Sequence, residues 1–220
     1  MTAIANQINA LQEELPRGVT IVAVTKYSDV SDIQKAYDAG MRDFGENRVQ
    51  DLEEKRVKLP DDIRWHMIGH VQTNKIKYFT NYIYMVQGVD RCKVLKELNK
   101  QAAKDDVVVR CTLQVHIAKE DSKFGLNESE CMSLCKEIDN GVFPNVECVG
   151  LMGMATNTND HSVVKREFEG LKTLFDDVAA KYPHWKWDTL SMGMSGDYKI
   201  AVECGSTMVR VGSKIFKPQS

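Results

Sequence analysis

Apolar and polar positions along this chain alternate between two periods. The run Thr20-Ile21-Val22-Ala23-Val24-Thr25-Lys26 is short and β-branched, and it reads as the heart of a strand over 19–26. Further strand candidates lie over 43–46, 64–69, 82–88, 107–117, 146–154, 187–192 and 207–212. Between them the apolar spacing turns helical, near 31–39, 46–57, 72–79, 91–104, 128–139, 161–181 and 196–203. Ahead of the first strand, Ile4, Ile8, Leu11 and Leu15 share one stripe and predict a leading helix. Ser31, Asp90 and Asn127 are placed to cap helix starts, and Gly40 to end the helix over 31–39.

Eight strands alternating with helices predict a parallel sheet. The length and the regular alternation suit an α/β fold of the (β/α)8 barrel type, in one domain spanning 1–220, better than an open doubly wound sheet. No G-x-G-x-x-G turn follows the first strand, which also argues against a dinucleotide fold. In such a barrel, functional residues gather at the C-terminal ends of the strands, and phosphate is often held after the seventh and eighth.

Composition narrows the function classes. With 29 basic and 31 acidic residues the net charge is −2, so no single-sign field favours nucleic acid or an anionic membrane. No apolar stretch approaches the roughly 20 residues of a membrane span. The N-terminus lacks the basic and apolar blocks of a signal peptide. The six cysteines form no C-x-x-C pair and read as reduced thiols, acting as small buried hydrophobes in a cytoplasmic protein.

The candidate chemistry lies at predicted strand ends. Val22, Val24 and Lys26 share one strand face, which predicts an amine at the core's rim. Partial desolvation would lower its pKa and suit it to Schiff-base chemistry with a carbonyl or with pyridoxal phosphate; a lysine that snorkels to solvent fits the segment too. Gly212 and Ser213 read as an oxyanion cradle opening a short helix, with Ser191 and Ser195 adding hydroxyls. Ser195 equally reads as the cap of the helix over 196–203, where Asp197 would repel a phosphate, so Gly212-Ser213 assisted by Ser191 is the favoured cradle. Arg210 points the same way as Gly212. It could donate to a pyridine nitrogen, leaving the ring a weak electron sink, or pair with a carboxylate on a neighbouring strand. His66 and His70 lack an H-E-x-x-H pattern and a third ligand, so His66 reads as a polar core residue rather than a metal ligand. Glu53-Glu54-Lys55-Arg56 reads as a solvated helix face, and Tyr182, Trp185 and Trp187 as packing at a helix–strand join.

Taken together, several strings resemble the YggS/PROSC-type pyridoxal-phosphate-binding proteins across almost the whole chain. They are Val22-Ala23-Val24-Thr25-Lys26, Phe44-Gly45-Glu46-Asn47-Arg48-Val49-Gln50, and Trp65 through Lys75, followed by Ser122-Lys123-Phe124-Gly125, Gly150-Leu151-Met152, Ser191 through Asp197, and Thr207 through Gly212. The strings from Trp65 and from Ser191 are the most specific. Phe79 departs from the family's aliphatic residue, with packing as its only consequence. The resemblance implies a single barrel like the N-terminal domain of alanine racemase, with pyridoxal phosphate (PLP) held as an internal aldimine on Lys26. It places Arg210 at the pyridine nitrogen, Asn47 near the ring, and Gly212, Ser213, Ser191 and Ser195 at the phosphate. It implies a regulator of vitamin B6 supply that buffers PLP or passes it to apo-enzymes, without robust catalysis.

Two functions remain in view: a PLP carrier and an amino-acid racemase. Racemisation needs an acid and a base on opposite faces of the substrate carbon. Lys26 could serve one; His66 or a tyrosine would have to serve the other. The sequence ends eight residues after Gly212, so the racemases' C-terminal β domain and partner tyrosine are not expected, and a monomer is.

Overall fold

The computed structural model describes residues 2–120 and 124–217. Eight parallel strands close into a barrel in chain order: β1 (Thr20–Val24), β2 (Asp43–Glu46), β3 (Arg64–Met67), β4 (Met85–Val89), β5 (Val109–Val115), β6 (Val146–Gly153), β7 (Thr189–Met194) and β8 (Met208–Val211). Closure comes from β8 against β1, with Thr20 opposite Met208 and Ala23 opposite Val211. The outer layer is α1 (Ala3–Glu14), α2 (Val30–Asp38), α3 (Val49–Arg56), α4 (Cys92–Lys104), α5 (Glu128–Asp139), α6 (His161–Lys181), α7 (Tyr198–Glu203) and α8 (Ser213–Phe216). A 3-10 turn at Thr73–Tyr78 stands where a helix over 72–79 is expected.

Two cores hold the barrel. The larger lies between strands and helices, where each helix buries one stripe: Ile4, Ile8 and Leu11 in α1, Val94, Leu95, Leu98 and Ala102 in α4, Val164, Phe168, Leu171 and Leu174 in α6. Each of the Ile, Leu, Val and Phe side chains among them contributes about 1.5–3 kcal/mol through the apolar area it removes from water. The smaller core, inside the barrel, is Val22, Met85, Val149 and Met208. It is too small to fill the interior, which also holds the polar side chains of His66, Gln87, Ser191 and Arg210.

Several boundaries differ from the sequence reading, each for a local reason. Strand β1 stops at Val24 because Ser28 N–H closes a turn on the Thr25 carbonyl at 2.9 Å. Strand β7 starts at Thr189, not 187, because Trp187 packs back on α6, its ring 5.4 Å from Phe175 and its Nε1 donating to the Phe175 carbonyl. Asp29 rather than Ser31 precedes α2, and Arg91 rather than Asp90 precedes α4, since Asp90 is drawn into bonds with His70 and Arg91. Asn127 does cap α5, in a reciprocal box with Glu130. Gly40 follows α2 at φ +97°, as its placement predicts. All six cysteines are unpaired, five of them buried. Tyr182 and Trp185 stack at 4.7 Å at the expected helix–strand join.

The segment 53–56 is not a solvated face. Lys55, its side chain 13% exposed, pairs at 2.6 Å with the fully buried Glu46, and Arg56 stacks 4.0 Å from the Tyr82 ring. No helix among the described residues is long and apolar enough to cross a membrane.

Candidate functional site

The C-terminal mouth of the barrel holds a cavity of about 500 Å³, within the range of small-molecule sites. Its wall includes Lys26, Asn47, Ser195, Arg210, Gly212 and Ser213, so six of the seven residues singled out by sequence converge there. Val24 and Ile68 supply an apolar floor and Met154 and Met194 a side.

Lys26 does not sit on its strand or in a desolvated rim. It is exposed, one residue past Thr25, in the turn that ends β1. The turn is clamped from below. The Thr25 carbonyl accepts from Ser28 N–H and from Lys55 Nζ (2.8 Å), the Thr25 hydroxyl donates to Glu46, and Lys55 closes the triangle on Glu46. Tyr27, the next residue, is 91% exposed at φ +69°, a left-handed conformation that costs a non-glycine residue about 1–2 kcal/mol. No sequence signal marks it, because tyrosine has no preference for that region. It also lines the cavity.

Asn47 follows β2 and is fixed by close backbone packing. A Cβ on Gly69 would lie 2.4 Å from the Asn47 carbonyl oxygen, so only glycine lets the chain after β3 pass there. Across the cavity Gly212 performs the same service for β1, with a Cβ placed 3.0 Å from the Val24 oxygen. Gly212 N–H donates to Ser195 Oγ at 3.2 Å. Ser195 therefore does not cap α7, whose preceding residue is Asp197 with Met194 N–H on its carboxylate. The first N–H groups of α8 find no partner within the helix itself.

Arg210 projects from β8, 3% exposed, and two carbonyls and a hydroxyl hold it rather than a neighbouring strand's carboxylate. Its Nη1 donates to Ser191 O (2.9 Å) and Ser191 Oγ (2.6 Å), and its Nη2 to Gly153 O (3.0 Å). Burial lowers its pKa to about 10 against the opposing charge of Asp197, so it stays a cation at neutral pH.

Ser191 is the exception among the expected site residues. It is fully buried in mid-strand, does not line the cavity, and has its hydroxyl engaged by Gln87 and Arg210, so it is not free to hold a phosphate. The two-residue shift of β7 puts it there. His66 is buried between Asp43 and Gln87, in the polar core role expected of it. Ser122 and Lys123 lie outside the described residues. Among the described residues no group of three or more His, Cys, Asp or Glu is arranged to hold a metal ion.

The donor set fits PLP. The wall offers an amine for an aldehyde and a buried guanidinium. The same wall carries hydroxyls and a glycine–serine turn for a phosphate. Lys26, Arg210 and Lys217 against Asp29 and Asp32 leave the wall with one positive charge in excess.

Comparison with known proteins agrees. The alanine racemase N-terminal domain family matches residues 1–219. The pyridoxal phosphate homeostasis protein of Vibrio alginolyticus is 38% identical over 206 residues, covering 91% of this chain and 87% of that one. PipY of Synechococcus elongatus is 30% identical and superposes with a TM-score of 0.90 without PLP and 0.87 with PLP bound, over 97% of this chain and 99% of PipY. Alanine racemase of Streptomyces coelicolor, 16% identical, shares the fold over 99% of this chain and 58% of its own, with a TM-score of 0.81. The chain belongs to the alanine racemase N-terminal domain family, and within it to the pyridoxal phosphate homeostasis proteins.

Proposed function

We propose that this protein binds PLP at the C-terminal mouth as a Schiff base on Lys26, and holds and releases it rather than turning over a substrate. The observation that carries the reading is the convergence of Lys26, Asn47, Arg210 and the Ser195, Gly212 and Ser213 turns on one cavity. PLP, when bound, supplies an aldehyde and an electron-withdrawing ring. Lys26 captures the aldehyde. Arg210, already a fixed cation, donates to the ring nitrogen and keeps it from taking up a proton. Ser195, Gly212 and Ser213 hold the phosphate after β7 and β8, with Asn47 beside the ring. A relative solved with PLP bound and relatives named for PLP homeostasis support this assignment. In this reading the protein works as a cytoplasmic monomer that buffers PLP and passes it to apo-enzymes.

Racemisation is the competing reading, and one feature favours it: Tyr27 lines the same cavity as Lys26. His66 does not line it and is out of consideration as a second base. The two readings separate in heavy water. The PLP-loaded protein is incubated with a panel of amino acids, and loss of the α-proton signal is followed by NMR. Exchange no faster than with free PLP is the expected result. Fast exchange that disappears in Lys26→Ala and Tyr27→Phe would establish an enzyme with Tyr27 as its second proton carrier.

A further inference from the structure

The barrel interior carries an unbroken chain of side-chain hydrogen bonds from its N-terminal mouth to Arg210. At the N-terminal end Asp43 takes both Arg64 (Nε to Oδ1, 2.8 Å) and His66 Nε2 (3.0 Å). His66 Nδ1 faces Gln87 Nε2 at 3.0 Å, Gln87 Oε1 faces Ser191 Oγ at 2.7 Å, and Ser191 Oγ faces Arg210 Nη1 at 2.6 Å. His66, Gln87 and Ser191 are all fully buried.

Donor and acceptor rules give this chain one direction. Burial works to raise the Asp43 pKa, but the hydrogen bonds from Arg64 and His66 outweigh it and lower it to about 2, so Asp43 only accepts. His66 Nε2 must therefore carry the proton. Burial lowers the His66 pKa despite Asp43, so the ring is neutral and Nδ1 is a bare acceptor. Gln87 must then present its amide N–H to His66, which its second contact at 3.1 Å to the Met208 sulfur, a weak acceptor, also favours. Its oxygen is left for Ser191. The Ser191 proton is spent on that oxygen, and the lone pairs of Oγ turn to Arg210. Reversing any one link would set two donors or two acceptors face to face in a dry interior.

We propose that His66 and Gln87, acting through Ser191, are positioning residues for the Arg210 guanidinium, holding its Nη1 by a directed chain anchored on Asp43. This inference rests on the PLP reading only for what Arg210 finally faces. The chain explains why β7 buries a serine and β4 a glutamine where a barrel usually stacks branched aliphatics. It also leaves Arg210 without a fixed carboxylate, so its charge remains available at the mouth.

The test combines one cofactor-free and one cofactor-loaded readout. In the PLP-free protein, ring nitrogen NMR of ¹⁵N-histidine-labelled protein should show His66 as the neutral Nε2–H form between about pH 6 and 8; a proton on Nδ1 would reverse the chain and overturn the proposal. In the PLP-loaded protein, Ser191→Ala and Gln87→Leu should each speed PLP release about tenfold, the scale of one lost hydrogen bond to a charged group. The double variant should be no faster than the worse single, because both cut the same chain. Gln87→Glu keeps an acceptor for Ser191 and should release PLP within about twofold of the parent, while its second oxygen draws a proton onto His66 Nδ1 in the NMR spectrum. Additive effects, or a Glu variant as leaky as the Leu variant, would show that these residues act separately. If Gln87→Leu fails to fold, Ser191→Ala alone decides, since it deletes one atom: release at the parent rate would refute the proposal. Should the parent protein fail to bind PLP, the cofactor reading falls while the His66 form still judges the chain.

Discussion

Both mouths of the barrel are cavities walled by arginine, but they treat charge differently. At the N-terminal mouth, a cavity of about 380 Å³, Arg64 pairs with Asp43, and Arg110 lies 3.3 Å from Glu147 and 3.8 Å from Asp188. Both arginines there are matched by carboxylates already in place. At the C-terminal mouth Arg210 rests on two carbonyls and a hydroxyl, and Lys26 stands exposed on a clamped turn. An arginine inside a barrel is therefore no signature by itself. In the proposed reading, the neutral groups that hold it, and the charge thereby left for a ligand, mark the functional end.

The sharpest break of that comparison is Lys26→Ala. It should abolish the Schiff-base absorbance band, while the unfolding free energy stays within about 0.5 kcal/mol because an exposed side chain is lost. Lys186→Ala, an exposed cation at the opposite mouth, should leave both untouched. A band that survives in Lys26→Ala would move the site elsewhere.

Next in size is Arg210→Ala. It strands the Ser191 and Gly153 carbonyls, at about 1–3 kcal/mol each. It should also speed PLP release by more than tenfold, since the proposed contact to the ring nitrogen goes with the anchor. Normal cofactor content and release would remove Arg210 from the site.

The N-terminal mouth should instead show itself in acid. The Asp43 carboxyl has a folded pKa of about 2 against an ordinary 3.8. Its contribution, about 2 kcal/mol, is full above pH 4 and is lost as the pH falls towards 2. His66, also depressed, starts a separate loss once the pH drops below the 6.5 of an unfolded histidine. Denaturant titrations of the parent and of Asp43→Asn should diverge in slope between pH 4 and 2; parallel curves would refute the pairing.

The smallest effect concerns the turn at Lys26. Tyr27→Gly relieves a left-handed tyrosine and should gain about 1 kcal/mol in folding stability. A loss of stability would mean that the tyrosine ring earns its place by contacts of its own.

Much of this was legible in the sequence because period and chemistry agree there. The alternation of eight strand-like runs with helical spacing predicts the barrel; Lys26, Arg210, Gly212 and Ser213 stand at predicted strand ends, whereas Asn47 comes from the family resemblance. Ser191 was misplaced because a two-residue error in a strand boundary moves a side chain from the mouth to the interior, and a tryptophan beside the strand conceals that boundary. Lys55 looked solvated because its helix face is charged throughout; only the fold brings the buried Glu46 beneath it. The chain through His66 and Gln87 joins residues from β2, β3, β4, β7 and β8, and no local pattern announces it. Asp43 and Gln87 are isolated polar positions within strand-like runs, and only barrel closure sets them in line.

The most direct test of the central claim is chemical. The PLP-loaded protein is reduced with borohydride, digested, and its peptides are mapped by mass spectrometry. The account predicts a single phosphopyridoxyl adduct, on Lys26. An adduct on another lysine, or none, would contradict it.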